Sequence, residues 1–91
     1  MTVFIPGPLR SYTRDQSCVQ ASGGTLAELL WELDRRYPGI RFRMVDEQHS
    51  IRQHIKIFVN QEKAAALGVG LGPEDEVHII CAISGGSRAR D

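Results

Sequence analysis

Thr25-Leu26-Ala27-Glu28-Leu29-Leu30-Trp31-Glu32-Leu33-Asp34-Arg35-Arg36-Tyr37 is the stretch on which the fold turns. Leu26, Leu29, Leu30, Leu33 and Tyr37 recur at helical spacing and predict one apolar face. Thr25-x-x-Glu28 has the form of a capping box: the threonine oxygen can take up an orphan amide while the glutamate reaches back. Arg35 and Arg36 stand at the other end, where cations suit the helix dipole. Pro38-Gly39 stops the helix. About thirteen residues at 1.5 Å rise cover roughly 20 Å, enough to cross one face of a small sheet.

Working outward, the chain supplies that sheet. After a polar connection, Ile55-Lys56-Ile57-Phe58-Val59 alternates. Ile55, Ile57 and Val59 are expected against the helix, with Lys56 and Phe58 on the opposite face. Asn60-Gln61-Glu62 reads as a turn, Ala64-Ala65-Ala66-Leu67 as a short helix, and Gly68 to Pro73 as a loop. A last strand is expected from Glu76 to Ile83. Upstream of the helix, Thr2-Val3-Phe4-Ile5 has strand character and stops at Pro6-Gly7-Pro8. Ser17-Cys18-Val19-Gln20-Ala21 is a second extended piece, making a hairpin with a long loop. Strand, strand, helix, strand, short helix or loop, strand is an α+β order. It predicts a β-grasp (ubiquitin-like) domain: a mixed sheet with one main helix on one face, and the first and last strands side by side at its centre.

The totals agree. Ninety-one residues make one domain, which buries roughly two-thirds of the surface its unfolded chain exposes. Eleven basic residues balance eleven acidic ones, so charge points to no nucleic acid and no membrane surface. No apolar run is long enough to span a bilayer and no signal-peptide pattern stands at Met1, which makes the cytoplasm the expected location. Cys18 and Cys81, far apart in sequence, read as reduced thiols. His49, His54 and His78 lack zinc-site spacing, so no metal is expected. Gly68-x-Gly70-x-Gly72 is not a phosphate loop, because no lysine or helix start follows it. No nucleophile is paired with a recognisable base, so no catalytic residue is assigned and the chain is not read as an enzyme.

Single residues carry competing readings. Alternation puts Phe58 on the face away from the helix, where an exposed aromatic suits a partner. Phe4 and Ile80 could share that face or be buried. Trp31 lies between the apolar positions of the helix and is expected to be partly buried packing. Cys81 reads as a small buried hydrophobe rather than a sulfur relay. His78 reads as a surface or packing residue, and Arg35-Arg36 as a solvated helix end. Gly85-Gly86 alone is an ordinary loop signal.

Taken together, Ile5-Pro6-Gly7-Pro8-Leu9-Arg10-Ser11-Tyr12-Thr13, Gly24-Thr25-Leu26-Ala27-Glu28-Leu29-Leu30, Arg36-Tyr37-Pro38-Gly39-Ile40, Ile57-Phe58-Val59-Asn60, Asp75-Glu76-Val77-His78-Ile79-Ile80 and Ala82-Ile83-Ser84-Gly85-Gly86 resemble the bacterial sulfur carriers. These are the relatives of the molybdopterin-synthase small subunit and the thiamin-thiazole sulfur carrier, and the nearest likeness is to the branch serving cysteine biosynthesis. The likeness covers nearly the whole chain up to Gly86. It departs at Cys81, where the family often has proline, and in the tail Ser87-Arg88-Ala89-Arg90-Asp91, because typical carriers stop at the second glycine.

The resemblance implies a carrier, with residues 1–86 as its domain and 87–91 as a disordered, removable tail. It implies that a zinc JAMM-type peptidase trims the chain between Gly86 and Ser87. A ubiquitin-activating-type adenylating enzyme then uses ATP on the Gly86 carboxylate, and the resulting thiocarboxylate gives sulfur to a sulfur-accepting synthase. The carrier itself binds no cofactor. Ser84, Gly85 and Gly86 would enter the partner's channel, with no side chain on either glycine to obstruct it, while Phe4, Phe58 and Ile80 form the docking face. Two other readings stay open: the small subunit of a molybdopterin synthase, and a ubiquitin-like binding module that is never thiolated. Lys56 and Lys63 are the only lysines, which leaves little room for polymer chains.

Overall fold

The computed structural model describes residues 1–82. Ile83 to Asp91, and with them Ser84, Gly85, Gly86 and Ser87, lie outside the described residues. Five strands form one mixed sheet in the order β2-β1-β5-β3-β4. They are β1 (Thr2–Phe4), β2 (Cys18–Gln20), β3 (Ile55–Val59), β4 (Glu62–Lys63) and β5 (Glu76–Cys81). β1 and β5 run parallel at the centre with Val3 opposite Val77. β2 pairs antiparallel with β1, and β3 antiparallel with β5. The central pairing is as the sequence predicts.

Helix α1, Leu26–Arg36, covers one face. Thr25 caps it, its Oγ1 accepting from the Glu28 N–H at 3.2 Å. The Glu28 carboxylate reaches back one residue further than the box predicts, to the Gly24 N–H at 2.8 Å. Leu26, Leu29, Leu30 and Leu33 have no solvent exposure and meet Val3, Ile57, Val77 and Ile79. Val59, expected beside them, is only half-buried at the end of its strand.

Four features depart from the sequence reading. The loop between β1 and β2 holds a 3-10 turn, Gly7–Tyr12, with a proline at its start and Leu9 buried beneath it. A short helix α2, Ile40–Met44, occupies the stretch read from the sequence only as a polar connection. Gly39 permits it, turning the chain at φ 96°, a backbone region that costs glycine little. Ile40 and Met44, four apart, then fall on one buried face. Ala64 to Leu67 form no helix. Glu62 leaves the expected turn to join Lys63 in β4, and the Ala64 N–H extends the pairing to the Ile57 carbonyl at 2.8 Å. Further on, the Leu67 and Val69 carbonyls accept from the Ala27 and Leu26 N–H groups at 2.9 Å each. Those are orphan donors of the first turn of α1, so the segment is held open by the helix it serves.

Trp31 is the fourth departure. It is 53% exposed because residue 31 lies about 100° round the helix from Leu30, well outside the arc of Leu26, Leu29, Leu30 and Leu33. The Arg41 guanidinium lies 3.9 Å from its ring centre, a cation over an aromatic face. Arg41 Nη2 is 3.2 Å from His49 Nδ1, and since arginine can only donate, that ring nitrogen accepts. At the other helix end, Arg35 pairs with Glu32 at 2.7 Å and Arg36 donates to the Gln20 carbonyl, which ties α1 to β2.

Leu30 lies at the centre of this packing. Leu30→Ala should cost about 2–5 kcal/mol of unfolding free energy, the range for a leucine removed from a closed core. Urea denaturation measures it, and a loss no larger than that of a surface substitution would place the core elsewhere.

Candidate functional site

α1 covers one sheet face and no helix among the described residues covers the other. Period two decides which side chains stand on the open face. Val3, Val19, Ile57, Val77 and Ile79 are buried under α1, so Thr2, Phe4, Cys18, Gln20, Lys56, Phe58, Glu76, His78 and Ile80 point away. The registers align Phe4 with His78, His78 with Phe58, and Phe58 with Lys63. One row, Cys18–Phe4–His78–Phe58–Lys63, therefore crosses all five strands.

Phe4, Phe58 and Ile80, the residues expected to dock a partner, all stand on this helix-free face. Phe4 and Phe58 are half-buried, and Ile80 is 46% exposed. His78 joins them between the two phenylalanines. Its ring stacks on Phe4 with centroids 4.4 Å apart and planes at 10°. Its Nε2 lies 3.4 Å from Glu76 Oε1. The alternation Val77-His78-Ile79 was the signal for this placement, since one register puts two aliphatic side chains inward and the imidazole outward.

Phe58, His78, Ile80 and Glu76 line a groove of about 800 Å³ beside the Asn60–Glu62 segment. Asn60, at φ 58°, fixes the far end of this groove. Its Oδ1 accepts from the Glu76 N–H at 3.1 Å, and its amide donates to Asp75 Oδ1 at 3.2 Å. Asp75 also takes the Gly72 N–H at 2.8 Å. These bonds, the Gly72 one foremost, hold its carboxyl below the usual carboxylate range.

β5 ends at Cys81 on the side facing α1. The Ala82 N–H donates to the His54 carbonyl at 2.7 Å, so the chain leaves the sheet still paired to it. Cys81 and Ala82 border a cavity with Pro8, Leu9, Tyr12, Arg43 and His54. Cys81 is half-buried there rather than fully buried as expected, because the strand ends at it. Burial pushes its thiol pKa up, opposite to what a reactive relay thiol requires. Among the described residues no group of three His, Cys, Asp or Glu side chains is placed to hold a metal ion.

A two-layer β-grasp body with an uncovered aromatic face, feeding its last central strand toward Gly85-Gly86, is the architecture of a ubiquitin-like protein. The chain belongs to the ThiS family, whose model matches residues 3–86 and so ends on the second glycine. It is 35% identical to the sulfur carrier protein CysO of Mycobacterium tuberculosis, over 94% of this chain and 98% of the relative. The crystal structure of Mycobacterium tuberculosis CysO, described as an antigen, superposes with a TM-score of 0.85 at 33% identity, covering 90% of this chain and 98% of that one. In the Amycolatopsis orientalis BexX/CysO complex, the matching chain gives a TM-score of 0.86 at 32% identity, covering 93% and 98%.

The two thiols should react differently. Cys18 is exposed, whereas the raised pKa of Cys81 leaves it less thiolate at any pH below that value. Iodoacetamide at neutral pH should alkylate Cys18 first and reach Cys81 as pH rises, read by peptide mass mapping. Faster labelling of Cys81 would contradict this environment.

Proposed function

We propose that this protein carries sulfur on the carboxylate of Gly86. The observation that carries the reading is that the family match ends at Gly86 and continues β5, a strand locked at the sheet centre. The relatives named as sulfur carriers support it over nearly the whole chain. Ser87 to Asp91 make the Gly86 carbonyl part of a peptide bond, so a peptidase of the zinc JAMM type first cuts between Gly86 and Ser87. The freed carboxylate is a poor electrophile. A ubiquitin-activating-type enzyme joins it to AMP from ATP, releasing pyrophosphate. Hydrosulfide adds to the carbonyl carbon, AMP leaves with the bonding pair, a proton is lost and a thiocarboxylate remains. That sulfur is nucleophilic and passes to a synthase, with cysteine formation as the favoured destination.

The chain's own residues dock and reach, while its partners do the chemistry. Phe4, Phe58 and Ile80 seat on the adenylating enzyme. Ser84, Gly85 and Gly86, about 10 Å long when extended, enter its channel. The cell's interior is the proposed location. A molybdopterin-synthase small subunit would use the same tail with a different acceptor.

Two experiments test this. The chain ending at Gly86, given its cognate adenylating enzyme, ATP and sulfide, should gain the mass of sulfur for oxygen, and the full-length chain should not. Thiolation at Asp91, or none in the truncated form, leaves the binding-module reading instead. Phe58→Asp should remain folded and bind the adenylating enzyme about tenfold or more weakly by calorimetry, the loss expected for a central aromatic contact. Unchanged affinity removes Phe58 from the interface.

A further inference from the structure

Apolar contact holds two surfaces together but does not fix how one is rotated on the other, whereas charges at the border do. The open face is electrically lopsided. Its strand positions carry two lysines and one glutamate, and both lysines sit on the same side. Lys56 precedes Phe58 by two residues on β3 and shares its face, and Lys63 on β4 is the cross-strand partner of Phe58. They are the only lysines in the chain, and neither takes part in an ion pair among the described residues. Lys56 Nζ donates only to the Gln53 carbonyl, at 3.2 Å.

Arg52 extends the cationic edge. Arg52, Lys56 and Lys63 line one cleft along β3, and none of its lining residues is acidic. The Arg52 side chain is held in place, its Nε donating to the Phe42 carbonyl at 2.7 Å and its guanidinium 4.5 Å from the Phe42 ring centre. The opposite border, on β2, presents the uncharged Cys18 and Gln20. Glu76, the one acid at the open-face strand positions, is beside His78. Glu62 is paired with Val59 and borders the groove at its Asn60 end, on the far side of Phe58 from the cleft that Arg52, Lys56 and Lys63 line.

We propose that Arg52, Lys56 and Lys63 form an orienting edge that meets carboxylates on the rim of the adenylating partner's apolar pocket. The inference rests on the carrier reading. The aromatic row supplies contact area, and the cations select the one rotation in which β5 points its continuation into the partner's channel. The partner surface that fits is therefore an apolar depression with aspartates or glutamates along the side facing β3.

The test is binding of the cognate adenylating enzyme to the full chain and to the chain ending at Gly86, by surface plasmon resonance at low and high sodium chloride. Lys56→Glu with Lys63→Glu should lower affinity about tenfold or more at low salt, chiefly through a slower on-rate. Wild-type affinity should fall as salt rises, and the variant's should not. Lys56→Gln with Lys63→Gln, which adds no repulsion, should give a smaller loss in the same direction. Equal affinity for wild type and both variants, or a wild type indifferent to salt, overturns the orienting edge while leaving the carrier reading intact. A wild type that neither binds nor is thiolated overturns both.

Discussion

β1 and β5 lie side by side and parallel, with Val3 and Val77 sealed beneath α1. These strands come from the two ends of the described chain, so the pairing closes the largest loop in the molecule. A closure of that length is entropically costly, though the cost grows only slowly with loop size. Burial of Leu26, Leu29, Leu30 and Leu33 against the joined strands offsets it. The same pairing has a functional consequence. The strand that leads to Gly86 is held by β1 over Glu76 to His78 and by β3 over Val77 to Cys81, so it belongs to the core rather than to a fraying edge.

From that centre the two faces take different duties. Period two sends valines and isoleucines under the helix and sends Phe4, His78, Phe58 and Ile80 the other way. Leaving such a row in water is unfavourable for an isolated protein, and it makes sense for one whose working state is a complex. The histidine in mid-row gives the surface a polar centre, stacked on Phe4 and beside Glu76. The cationic edge along β3 gives it a direction. Contact area, polarity and orientation thus come from neighbouring positions on β1, β5, β3 and β4, with Arg52 just ahead of β3.

Much of this was legible in the sequence. α1 announced itself because five apolar positions, a threonine cap and a Pro-Gly stop agreed with one another. The placement of Phe58 on the face away from α1 followed from alternation alone. Phe4 and Ile80 stayed ambiguous until the register was known, because three-residue β1 gives too short an alternation to fix its inward side. α2 escaped because its buried apolar residues, Ile40 and Met44, bracket Arg41, Phe42 and Arg43, and five residues are too few for a period to emerge. Ala64 to Leu67 misled because alanine favours helix locally, while the first turn of α1 claims the carbonyls of Leu67 and Val69. Trp31 misled because a tryptophan was expected to find cover, and Arg41 instead packs against its exposed ring.

The central claim is that Gly86 carries sulfur, and the protein isolated from its own cell tests it most directly. Intact mass spectrometry without alkylating or acidic treatment should find a form ending at Gly86, and a fraction of it heavier by the difference between sulfur and oxygen. A population consisting solely of the chain through Asp91, unmodified under conditions of active sulfur assimilation, would contradict the account.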